Sequence, residues 1–96
     1  MKPTTKSAQG TSFHQHTFDA SPFEITQLFG EAMYYGDPTE KTTREWHLED
    51  SKGNVVTIYD WKEYREIQYD EIIEWHIGAK SNAVSFEALK YITSKL

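Results

Sequence analysis

The chain contains no cysteine. A disulfide framework and a thiolate zinc site are therefore both excluded. It has no apolar run near the roughly 20 residues that a membrane span requires, and its start, MKPTTKSAQG, lacks an apolar signal core. A protein without a membrane anchor that stays in the cytoplasm is the expectation. Basic charge is also scarce: ten Lys and Arg stand against fifteen Asp and Glu, a formal net charge of -5. Most non-specific affinity for nucleic-acid phosphates comes from a basic excess, so direct nucleic-acid binding is not expected. An acidic chain is instead steered towards basic partner surfaces, including those that normally hold DNA or RNA. GxSxG, HExxH, CxxC, EF-hand and Walker patterns are all missing. No catalytic residue is nominated, and the chain reads as a non-enzyme without a cofactor.

What is present is a single domain's worth of chain, 96 residues of which 15% are aromatic, with Trp46, Trp61 and Trp75 among them. Large rings bury much area per residue, so a small core is within reach. Its organising stretch is Lys41 to Glu63, two alternating runs around Ser51-Lys52-Gly53. Glycine at the third loop position supplies the left-handed conformation of a bulged hairpin turn. That loop sets Leu48 opposite Val56, Trp46 opposite Ile58 and Arg44 opposite Asp60, with His47 facing Thr57 and Glu45 facing Tyr59 on the other side.

Around the hairpin, Thr11 to Phe18 reads as a strand, with Phe13 and Phe18 on opposite faces. Ser21-Pro22-Phe23-Glu24 is a capping box with proline at the first helical position, so a helix covers Pro22 to Phe29 and ends at Gly30. Met33-Tyr34-Tyr35 reads as a short strand before the Gly36-Asp37-Pro38 turn, its tyrosines more readily covering a core edge than lining a surface pocket. Ile72 to Ile77 alternates with Ile73, Trp75 and Ile77 on one face. Ser81 or Asn82 then caps a helix whose stripe is Val84, Ala88, Leu89, Ile92 and Leu96. The fold expected is α+β, an antiparallel sheet of three to five strands with two helices packed on the Trp46, Ile58, Trp75 face. Residues 1–10 are read as a flexible arm and 11–96 as the domain.

Two candidate sites follow. The face opposite the core gathers Glu45, His47, Thr57, Tyr59, Trp61, Glu74 and His76, and Tyr59 with Trp61 are residue types suited to a protein-binding surface. Its two histidines and two glutamates are zinc-ligand types, but on a solvated sheet face such residues are usually just polar; the His14 and His16 pair has no third ligand beside it, and no metal site is assigned. The second candidate is the junction Gly78-Ala79-Lys80-Ser81, where a strand passes through a lysine and a hydroxyl into a helix N-terminus. Free amides there suit an anion such as a nucleotide-like small molecule, at Gly78, Lys80 and Ser81. An odd edge strand leaves a homodimer open.

Three segments, LFGE at 28–31, REWHLEDSKGNVVTIYDWKE at 44–63 and EWHIGAKS at 74–81, resemble a group of small accessory proteins of tailed bacteriophages. That pattern follows WHIG with a second glycine, whereas this chain has Ala79, which weighs against tight backbone approach to a ligand there. The resemblance implies a small protein made inside a bacterium that binds and blocks a host or antiphage-defence protein. It carries over no catalytic residue.

Overall fold

Alternation and turn chemistry meet at the hairpin, and there the computed structural model, which describes residues 1–96, follows the sequence closely. Strands β4 (Arg44–Glu49) and β5 (Val55–Tyr59) pair antiparallel, with Leu48 against Val56, Trp46 against Ile58, His47 against Thr57 and Glu45 against Tyr59. Gly53 adopts φ 80, and the Asp50 carboxylate accepts the amides of Lys52 and Asn54, both at 2.9 Å. The expected Arg44–Asp60 charge pair is replaced by something else. Asp60 is fully buried and accepts from the Thr43 amide at 2.7 Å, the Thr43 hydroxyl at 2.6 Å and the Arg44 amide at 2.9 Å. A buried carboxylate is tolerated only when hydrogen-bonded, and two backbone amides and the Thr43 hydroxyl supply those bonds.

Strand β6 (Ile73–Ala79) continues the sheet beside β5, and β2 (Ser12–Ala20) closes the far edge beside β6. Six strands are present, against the three to five expected, and all pairings are antiparallel. The one not expected is β1 (Lys2–Pro3), while β3 (Tyr34–Tyr35) falls within the short strand expected at Met33-Tyr34-Tyr35; each is two residues long, and together they line the outer edge of β4. Two-residue strands carry no period, so a pattern search passes over β1. Residues 1–10, read as an arm, are thus laid against the sheet at their start. The Thr4 amide donates to the His47 carbonyl, and Glu49 accepts the Thr4 hydroxyl at 2.8 Å and pairs with Lys6 at 3.2 Å. These hydrogen bonds, the one from Thr4 first, hold the Glu49 carboxyl below its ordinary pKa.

The helices occupy the face that parity assigns. Helix α1 (Pro22–Phe29) starts with the full capping box, the Ser21 hydroxyl accepting from the Glu24 amide and the Glu24 carboxylate from the Ser21 amide. Helix α2 (Asn82–Lys95) is capped by Ser21's counterpart Ser81, whose hydroxyl accepts the Val84 amide. Ile25 and Phe29 of α1 and Ala88 and Ile92 of α2 join Trp46, Leu48, Val56, Ile58, Ile73, Trp75 and Ile77 in one core. Leu96, placed on the α2 stripe, is exposed instead and lies just past the last helical residue, Lys95. No helix is long and apolar enough to cross a membrane.

Candidate functional site

The sheet has one face without helices, and β-strand alternation decides what stands on it. Glu45, Tyr59, His76 and Thr17 are cross-strand partners in one row, and His47, Thr57, Gly78 and Phe13 in the next. Glu74 stands below His76 on the same face, opposite Asp19 of β2. Six of the nominated residues, Glu45, His47, Tyr59, Trp61, Glu74 and His76, are therefore brought together here, and Gly78 joins them.

The centre of this face is aromatic. His76 stacks on Phe13 with ring centroids 4.3 Å apart and an interplanar angle of 20°. Tyr59 lies 5.6 Å from His76, and Trp61 lies 6.2 Å from both Tyr59 and His76. Burial among these rings lowers the His76 pKa, with Glu74 opposing the shift, and burial followed by the Glu45 charge raises that of Tyr59. Trp61 remains 41% exposed. Around its other side, Tyr34, Tyr64, Lys41, Glu40, Thr39, Thr42 and Glu45 complete a cleft of about 660 Å³. Tyr34 and Tyr35 are 41% and 58% exposed, so the expected core-edge role gives way to a surface one.

Sequence reasoning missed Phe13, Tyr34, Tyr64 and Lys41 as members of this neighbourhood. Phe13 was signalled by its parity against Phe18. Its placement survives an irregularity: four steps along β2, from Phe13 to Thr17, pass two along β6, from Gly78 to His76. Two extra residues preserve parity, and Gln15 at φ 70 absorbs the bulge. Nothing local announces Tyr64, which stands at φ 51 in the irregular connection between β5 and β6.

His14 and His16 lie in that bulge and turn to the β6–α2 junction. The His14 ring nitrogen is 3.0 Å from the Ala79 carbonyl oxygen, and that of His16 is 2.8 Å from the Asn82 side-chain oxygen. No three His, Asp or Glu side chains are disposed to hold a metal ion. His47 is bonded at 2.5 Å to Glu45, its neighbour on the same strand face.

At the second candidate site the structure separates what the sequence joined. The strand expected to alternate as far as Ile77 runs on through Gly78 to Ala79, and the chain turns at Lys80 and Ser81. Gly78 is instead a close-packing position, since a Cβ there would lie 2.3 Å from the Thr57 hydroxyl oxygen. Its surface is further screened by the N-terminal segment, as Ala8, Thr11 and Ser12 share a cavity of about 250 Å³ with Thr57, Tyr59 and Gly78. Ser81 spends its hydroxyl on the helix cap. Lys80 alone faces an open space, a cavity of about 210 Å³ that it lines with Lys6, Ser7 and Asn54.

No protein-family model matches the sequence, and no curated protein does.

Proposed function

We propose that the protein is a non-catalytic binding module that docks on a partner protein through its helix-free sheet face. The observation that carries this reading is the continuous aromatic band Phe13, His76, Tyr59 and Trp61, extended at the cleft by Tyr34 and Tyr64. Trp and Tyr are the residues on which binding energy concentrates, because they offer large rigid area at small entropic cost. Glu45 and Glu74 flank the band, and a net charge of -5 steers the face towards a basic surface. The resemblance to phage accessory proteins supplies the context: a host or antiphage-defence protein is the partner, and binding blocks it.

The test is capture from bacterial lysate with the tagged full chain as bait, beside a Trp61→Ala bait. A bacterial protein retained by the first and released by the second is the expected result. Retention of the same protein by both baits, or of none at several salt concentrations, would refute the reading.

A further inference from the structure

The depression beside Trp61 is unevenly charged. Two carboxylates, Glu40 and Glu45, stand in its lining against the single ammonium group of Lys41, among the rings of Tyr34, Trp61 and Tyr64. The bonds that these carboxylates accept leave their charge in place. The Tyr34 hydroxyl donates to Glu40 at 2.5 Å, and a hydroxyl does not neutralise the carboxylate it serves. Glu45 meets His47 through Oε2 at 2.5 Å, and no donor from the chain reaches its Oε1. An occupant therefore meets aromatic faces and negative charge.

Local structure holds these groups around the depression. Gly36 makes room for Tyr34, since a Cβ there would lie 2.8 Å from the Tyr34 hydroxyl oxygen and 2.7 Å from the Thr42 carbonyl oxygen. The Lys62 amide donates to the Lys41 carbonyl at 2.8 Å, which ties the segment before β4 to the one after β5. The ammonium groups of Lys41 and Lys62 stand 6.0 and 5.5 Å from the centre of the Trp61 ring, and neither makes an ion pair. An indole face attracts cations through its quadrupole. In the free chain its own lysines stand where a cation from outside would stack.

We propose that this depression seats an arginine side chain of the docked partner, its guanidinium stacked on Trp61 and hydrogen-bonded to Glu45 and Glu40. The inference rests on the docking reading and names the residue by which the partner is recognised. Arginine fits better than lysine because its planar, weakly hydrated fork stacks on an aromatic face while its five donors serve two carboxylates. The three rings are open to solvent, Tyr34 and Trp61 at 41% and Tyr64 at 53%, which suits a side chain presented from outside rather than an enclosed small molecule. The chain's net charge of -5 has the sign that attracts such a partner.

NMR titration of the isotope-labelled full chain with the peptide acetyl-Gly-Arg-Gly-amide tests it, read at the Trp61 indole N–H. The indoles of Trp46 and Trp75, buried and bonded within the chain, serve as references. Parallel probes carry citrulline or lysine in place of arginine, and tetramethylammonium stands for a free small cation. The expected result is a Trp61 shift with the arginine peptide, with affinity about twofold to fivefold weaker in Glu45→Gln. Lys41→Gln removes the competing ammonium group and should tighten binding by a similar factor. Glu40→Gln provides a second acidic variant should Glu45→Gln misfold. No Trp61 shift with peptide up to about 10 mM would overturn the proposal. So would weaker binding in Lys41→Gln, or citrulline, lysine or tetramethylammonium binding as tightly as arginine. A lysate partner retained by a protein that ignores the arginine peptide would strike this inference alone. Arginine binding in a protein that retains no lysate partner would leave arginine recognition standing and remove only the docking reading.

Discussion

Trp46 and Trp75 on one face of the sheet and Trp61 on the other show how differently the chain uses a single residue type. The first two are 2% and 0% exposed, meet edge to face at 5.4 Å, and donate their indole N–H groups to the carbonyls of Gly30 and Ala20. Each buries its ring and satisfies its one polar atom, and each bond also ties down an end of α1: Ala20 precedes it and Gly30 follows it. Trp61 is 41% exposed, and nothing in the chain accepts its N–H. A ring of that size left open on a helix-free face is available to something outside the chain.

The comparison predicts a large asymmetry in stability. Trp75→Ala should cost about 3–5 kcal/mol, through lost burial and an unsatisfied Ala20 carbonyl, whereas Trp61→Ala should stay within about 0.5 kcal/mol of wild type. Urea denaturation of both variants decides it. Equal losses would mean that the outer face is a second core, and the distinction drawn here would collapse.

A smaller effect tests how tightly the outer face is packed where the N-terminal segment covers it. Gly78→Ala places a methyl group 2.3 Å from the Thr57 hydroxyl oxygen, and overpacking of this kind costs about 1–3 kcal/mol. Thr57→Ala removes the clashing oxygen and leaves the Thr57 Cβ at 3.7 Å, so the double variant should recover most of the loss. Thermal melts that show additive rather than compensating changes would place the strain elsewhere.

How much of this could be read in advance differs between the faces for a physical reason. Helix α1 was legible to the residue because a capping box and an N-terminal proline act within four residues, and the hairpin register because parity and loop chemistry agree. The side of the sheet on which Glu45, His47, Tyr59, Glu74 and His76 stand follows from alternation alone. Alternation does not say which strands lie side by side, so Phe13 against His76, and Thr57 over Gly78, could not be seen until β2, β5 and β6 were placed. Nor does it reach irregular segments: Lys62 and Tyr64 take left-handed backbone without glycine to announce it, and Tyr64 lines the cleft beside Trp61. Asp60 shows the same limit in the core, where its charge suggested Arg44 as partner and the backbone amides prevailed.

The bulge in β2 offers a smaller change of opposite sign. Gln15 stands at φ 70, where glycine carries no Cβ penalty, so Gln15→Gly should raise stability by up to about 1 kcal/mol once its greater unfolded-state entropy is counted. An observed loss in urea denaturation would mean that the Gln15 side chain contributes more than its conformation costs.

The smallest expected effect belongs to His76, and its sign bears directly on whether the outer face is partly dry. The imidazole is packed against Phe13, Tyr59 and Trp61, with Glu74 the acidic group on its own strand and Thr17 opposite. Burial lowers its pKa more than the Glu74 charge raises it, so the unfolded chain takes up a proton at a higher pH than the folded one. Between those two values the unfolded state binds more protons, and stability must rise with pH. The contribution is complete above the unfolded imidazole value near 6.5 and is lost as pH falls through the folded value. His76→Gln removes the titration, so the slope of unfolding free energy between about pH 5 and 7 should be shallower in the variant than in wild type. Equal slopes would show that solvent reaches the ring freely and that the aromatic band is an open surface throughout. A steeper slope in the variant would mean that Glu74 dominates and that the charged imidazole, not the neutral one, is the form this face prefers.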